Sequence, residues 1–412
     1  MPMSEVISCT QNINVESSVQ TALQAVLSNK AIGFTSLPQR HELFTKSQEL
    51  AQHITSNYTQ VVLIGIGGSS MGAHALYEIS GQSKLKFHFL ENVDAENFKK
   101  LWQNISVSKE NLKKTAFLII SKSGSTIEIL WNYSTIENLL AQQDLKLIEQ
   151  SYFISDLGSN PISDLARKHQ RPLLEVPSDV GGRFSVLSPV GLVIAAICGF
   201  NIEQMRKGAE ASLKNTSATA QATQLFLNSF KRNEDITLFW FYHSSFRWFG
   251  GWIQQLWAES LGKKNTKAGA PAPAFSTPMT AIGACDQHSI LQQIAHGPKN
   301  KFVCFYSFTS AFESELKFSS TGFEDLKFLE GRSYGDLIKY QALATAEALN
   351  KNSVSTAVFN IDNSDKSYSL GYLFMYFQLV VATIGQHENI DAFDQPGVTL
   401  GKELTLNLLK QK

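Results

Sequence analysis

The segment Val61-Val62-Leu63-Ile64 runs into Gly65-Ile66-Gly67-Gly68-Ser69-Ser70-Met71-Gly72 and then into Ala73–Ile79 with helical spacing. A short β-branched run, a glycine-rich loop and an amphipathic stretch together read as strand–loop–helix. The chain repeats the device at Ala116–Ile120, Ser121-Lys122-Ser123-Gly124-Ser125-Thr126 and Ile127–Leu130. Units of this kind, in series, build a parallel doubly wound sheet whose loops gather at the carboxyl ends of the strands, where ligands bind.

The rest of the chain extends this pattern. Strands are predicted at Tyr152–Ser155 and Leu173–Val176, with a helix around Ile162–Lys168, completing an α/β domain over residues 35–190. Residues 1–34 carry helical patterning. The stretch from Val190 to Arg232 is predicted to be helical. Strands at Ile236–Tyr242, Lys301–Ser307 and Ser353–Ile361, with a helix at Tyr334–Leu349, form a second α/β domain over 191–365. Lys267–Pro278 reads as a loop, and 366–412 as a C-terminal helical segment that opens with a core helix at Leu370–Ile384. The fold class is therefore α/β, two doubly wound parallel sheets with helices appended.

Composition removes several classes of function. The 36 basic and 36 acidic residues cancel and no block of like charge occurs, so neither nucleic acid nor an anionic membrane surface is an expected partner. Uninterrupted apolar runs such as Val190–Phe200 fall short of the roughly 18 residues of a membrane span. The N-terminal residues lack the basic flank and apolar core of a secretory signal. Cys9, Cys198, Cys285 and Cys304 follow neither a metal-binding nor a disulfide spacing. A cytoplasmic protein without a structural metal is the expectation.

Several stretches carry chemistry. The loop Gly65-x-Gly67-Gly68-x-x-x-Gly72 misses the dinucleotide fingerprint by one residue and has no GK[ST], so a nucleotide is not implied; its amides and Ser69 suit a sugar or phosphate. Four hydroxyls and a lysine lie within Ser121–Thr126. A helix N-cap needs one hydroxyl, and the surplus points to a phosphate dianion held without metal. In Asp179-Val180-Gly181-Gly182-Arg183-Phe184-Ser185 a tight turn presents Arg183 to an anion or a developing oxyanion. Glu259 shares a predicted helix with Gln255 and with the aromatic Trp252, surroundings in which a carboxylate can become a general base. His288 follows Asp286, which could cap a helix or orient the ring. Lys402 lies seven residues after Gln395, about two helical turns, so both could face one pocket.

Together these segments resemble the phosphoglucose isomerase family, built from two sugar isomerase (SIS) domains. The stretches DVGGRFSVLSPVG and FDQPGVTLGK are its signatures, and the likeness extends in order from Ile64 to Lys402. The resemblance implies metal-free and cofactor-free interconversion of glucose 6-phosphate and fructose 6-phosphate through an enediolate. It implies phosphate binding by Ser121, Lys122, Ser123, Ser125 and Thr126, and sugar contacts from Gly67, Gly68, Ser69, Gln255 and Gln395. Glu259 would be the base, Arg183 the enediolate-stabilising cation, and His288 with Lys402 the ring-opening pair. Because this histidine comes from the neighbouring subunit in the family, a homodimer is implied. Thr399 stands where many members have glutamate, and GGSSMGA where others have GGSDLGP; activity on mannose 6-phosphate is left open. A non-catalytic sugar-phosphate sensor would need Ser121–Thr126 but have no use for Glu259, His288 and Lys402.

Overall fold

The computed structural model describes residues 6–308 and 316–411. It contains ten strands: β1 (Ile7–Cys9), β2 (Gln60–Ile64), β3 (Lys86–Leu90), β4 (Thr115–Ile120), β5 (Ser151–Ser155), β6 (Leu173–Glu175), β7 (Ile236–Phe241), β8 (Thr277–Ile282), β9 (Lys301–Phe308) and β10 (Ser355–Ile361). They form two five-stranded sheets, ordered β3-β2-β4-β5-β6 and β1-β10-β9-β7-β8. Every pairing is parallel except that of β1 with β10. Every residue of β2 and β4 is buried, as expected for central parallel strands covered on both faces.

The sequence reading misses three strands, all at sheet edges. β3 mixes Lys86 and His88 into its apolar residues, and β8 follows a proline-rich stretch and contains Pro278. An edge position accepts both, because only one side of the strand must donate to a ladder. β1 replaces part of the helical segment expected over residues 1–34, whose first five residues lie outside the described chain. Ile7–Cys9 adds instead to the second sheet, antiparallel to Ile361–Phe359.

The inner faces of both sheets share one continuous apolar core, with a smaller cluster on the outer face of each. The 35–190 and 191–365 boundaries therefore do not separate independent cores. The helix Lys366–His387 lies in the shared core rather than in an appended tail. It is long and apolar enough to cross a membrane, but 94% of its apolar window is buried by protein. Among the described α-helices the last, Thr399–Lys410, stands off, with no buried residue.

Candidate active site

Strand order places the site. β2 and β4 are neighbours whose connections run to opposite sides of the sheet, so the loops after them open side by side at its carboxyl edge, the switch point of a doubly wound sheet. The first loop becomes the 3-10 turn Gly67–Ser69. It lies directly against the 3-10 turn Gly182–Phe184. A Cβ on Gly68 would come within 2.4 Å of the Gly182 carbonyl and 2.7 Å of the Arg183 nitrogen. Only a glycine lets the two loops interlock so closely. Gly68→Ala is expected to force them apart, costing about 1–3 kcal/mol of stability and most of the activity; thermal unfolding and a turnover assay on the variant check both.

The Arg183 loop is anchored on three sides. Arg40 makes a two-pronged bond to the Asp179 carboxylate, holding its pKa below the ordinary value. Phe184 stacks on Phe34 at 4.9 Å and meets Phe393 at 5.2 Å. Gln378, from the buried helix Lys366–His387, donates to the Phe184 carbonyl at 2.9 Å.

So anchored, Arg183 is only 2% exposed and uses every arm of its guanidinium. Nε donates to Ser260 Oγ at 2.7 Å, and Nη1 to Glu259 Oε2 at 3.3 Å and Gln395 Oε1 at 2.9 Å. Nη2 donates to the carbonyls of Ala392 and Asp394 at 2.5 and 3.0 Å. Burial lowers its pKa, and the Glu259 and Asp394 charges oppose that shift.

Glu259 sits near the end of helix Arg247–Leu261. Its Oε1 accepts from Gln255 Nε2 at 3.1 Å, and its side chain remains 33% exposed. The carboxylate is held at both oxygens yet open on one side. Gln255 also links this helix to the first loop, since a Cβ on Gly67 would lie 2.9 Å from its Nε2.

The second loop gathers its hydroxyls at the start of helix Ile127–Ala141. Ser121 Oγ lies 3.1 Å and Ser123 Oγ 3.4 Å from Thr126 Oγ1, and the Ser125 hydroxyl donates to Ser123 Oγ at 3.4 Å. Thr126 is the N-cap residue but makes no side-chain cap bond, leaving the helix terminus available to an anion. Lys122 differs from the expectation of a phosphate ligand. Its ammonium donates to the Ser178 carbonyl at 3.0 Å, beside the Arg183 loop, and burial lowers its pKa.

The structure thus brings Arg183, Glu259, Gln255 and Gln395 together with Gly67, Gly68 and Ser69, and sets the Ser121–Thr126 loop beside them. His288 and Lys402 are exposed and stand outside this group. His288 closes the 3-10 turn Cys285–His288, and Asp286 bonds Ile282 N and Ser289 rather than the ring. Lys402 lies on the detached last helix, so it does not share a pocket with Gln395 in one chain. Ser260, Lys263 and the Asp394 carbonyl are contacts that sequence reasoning passes over; a lysine just beyond a helix end is the one signal that marks Lys263. Among the described residues no cluster of three or more His, Cys, Asp or Glu side chains is arranged as a metal site.

Two largely parallel sheets with a hydroxyl-rich loop at one carboxyl edge define an α/β protein of the sugar isomerase class. Among solved structures, a Thermus thermophilus protein described as hypothetical superposes with a TM-score of 0.86 at 28% identity, covering 95% of this chain and 94% of the other. A glucose-6-phosphate isomerase from Chlamydia trachomatis gives a TM-score of 0.78 at 22% identity, covering 95% and 78%. The glucose-6-phosphate isomerase of Campylobacter jejuni is 34% identical over 367 residues, 85% of each chain. A family model for phosphoglucose isomerase matches residues 33–412, and the chain belongs to that family.

Proposed function

We propose that this chain interconverts glucose 6-phosphate and fructose 6-phosphate by moving a proton between C1 and C2 through an enediolate. The observation that carries the reading is the Arg183–Glu259 pair, a two-point-held carboxylate facing a buried guanidinium, in a member of this family. Glu259 removes the proton from C2 of the open-chain aldose and returns it to C1. Arg183 offsets the negative charge that develops on the enediolate oxygens. The hydroxyls of Ser121, Ser123, Ser125 and Thr126 hold the phosphate, a remote handle whose binding energy positions the reacting carbons. Gln395, Gln255, Ser69 and the amides of Gly67 and Gly68 contact the sugar. Neither a metal nor a nucleotide enters any step, and the cytoplasm is the proposed compartment.

His288 and Lys402 open the sugar ring, and we place them in a site completed by a second copy of the chain. Leu400, Leu404 and Leu408 form an apolar stripe along the detached last helix, each more than half exposed. A stripe of this kind is suited to burial against a partner. If Glu259 and His288 of one working site come from different chains, Glu259→Gln and His288→Ala homodimers are each inactive. Dissociating and reassociating a mixture of them regenerates about a quarter of the parent sites. Analytical ultracentrifugation and activity of the mixture check this; no recovery from a mixed dimer contradicts the shared site.

The test of the activity is a coupled assay for glucose 6-phosphate formed from fructose 6-phosphate with chelator present throughout, and mannose 6-phosphate run in parallel. Chelator-insensitive turnover of fructose 6-phosphate alone supports the reading as stated. Turnover of both widens it to a dual phosphoglucose and phosphomannose isomerase. Binding of a sugar phosphate without turnover of either would replace it with a sensor.

A further inference from the structure

Helix Arg247–Leu261 ends two residues before Lys263, and the last carbonyls of any helix lack partners within it. Lys263 turns its side chain back over that end. Its ammonium donates to the Glu259 carbonyl at 2.7 Å and the Asp394 carbonyl at 2.6 Å, and lies 3.1 Å from the Asp394 carboxylate. Three acceptors match the three N–H donors of an ammonium, and the side chain is only 6% exposed. Burial lowers the Lys263 pKa, while the bond to Asp394 opposes that shift.

The Asp394 carbonyl also accepts from Arg183 Nη2 at 3.0 Å. One carbonyl therefore joins two cations, one at the end of the helix that bears Glu259 and one facing its carboxylate. The next residue, Gln395, accepts from the same guanidinium. Lys263 directs its donors to protein acceptors and takes part in neither the phosphate loop nor the Arg183–Glu259 pair.

We propose that Lys263 is a positioning residue: it locks the helix end carrying Glu259 to the Asp394–Gln395 segment and so sets where the base stands relative to Arg183 and the reacting carbons. The inference rests on the isomerase reading above. A misplacement of about 1 Å in a reacting group can cost roughly 10²-fold in rate. The phosphate loop lies on the other sheet, so loss of Lys263 should weaken the chemical step far more than substrate binding.

The experiment compares parent, Lys263→Met and Lys263→Arg enzymes in the coupled fructose 6-phosphate assay, with Tm and the folded fraction measured on the same preparations. Lys263→Arg keeps a cation at the helix end and so provides a second variant if the methionine is poorly tolerated, while its planar fork does not reproduce the compact three-acceptor site. The expected result is a fall in kcat per folded enzyme of at least about tenfold in either variant, with KM changed by less than about threefold. Parent kcat in folded variants, or a KM rise as large as the kcat loss, overturns the proposal and leaves Lys263 a brace of the fold. An inactive parent enzyme sinks the isomerase reading and this inference with it, whereas an active parent with unaltered variants sinks this inference alone.

Discussion

Glu259→Gln is expected to lower turnover by roughly 10³-fold or more, while sugar-phosphate ligands still bind. The amide keeps the size of the side chain; its oxygen can accept from Arg183, and its NH2 can donate to the Gln255 amide oxygen once that amide turns over, so the helix and the Arg183 loop have no reason to move. It cannot take a proton from carbon. General base catalysis contributes about 10²–10⁴-fold, and among the described residues Glu259 is the carboxylate that pairs with Arg183. Binding of a non-reacting sugar phosphate, measured by calorimetry, should remain within a few-fold of the parent, because the phosphate handle at Ser121–Thr126 is untouched. Near-parent turnover in this variant would remove Glu259 from the role of base.

Arg183→Ala is expected to damage both chemistry and fold. On the chemical side, removing one preorganised donor to a developing oxyanion costs on the order of 10²–10³ in kcat. On the structural side, the guanidinium joins Ser260, Glu259, Gln395 and the carbonyls of Ala392 and Asp394. Truncation leaves the buried Ser260 hydroxyl and Ala392 carbonyl without this partner, at about 1–3 kcal/mol for each buried group left unsatisfied, while Glu259, a third exposed, can turn to solvent. A depressed Tm and a kcat loss well beyond tenfold in the remaining folded enzyme are therefore expected together. Arg183→Lys separates the two contributions, since it keeps the charge but cannot reach five acceptors. If Arg183→Lys retains near-parent kcat, charge alone suffices; if kcat falls steeply while Tm holds, the geometry of the fork is what matters.

Much of this site is legible in the sequence because its parts are local. Val61–Ile64 and Ala116–Ile120 are central strands with continuous apolar runs, and the loops after them must open at one edge of a parallel sheet. The hydroxyl cluster follows from Ser121–Thr126 alone. What is less legible depends on long-range contact or on edge position. β3 and β8 carry Lys86, His88 and Pro278, residues that disguise a strand unless its edge placement is known. Ile7–Cys9 is too short to announce itself, and it becomes a strand only because β10 offers a free edge. The convergence of Arg183, Ser260, Lys263 and Asp394 joins segments up to 211 positions apart, and no spacing rule reaches that far. The proposed roles of His288 and Lys402 rest on family resemblance rather than on geometry, since one chain leaves both exposed.

The most direct test of the central claim follows the hydrogen itself. Glucose 6-phosphate deuterated at C2 is isomerised by the parent enzyme with chelator present, and the label is located by NMR. If Glu259 carries a proton between the two carbons, part of the deuterium appears at C1 of fructose 6-phosphate and part is lost to water, and Glu259→Gln shows neither. Complete transfer to C1 without loss to water at any extent of reaction, or unchanged transfer in Glu259→Gln, would contradict a proton-transfer mechanism centred on this carboxylate.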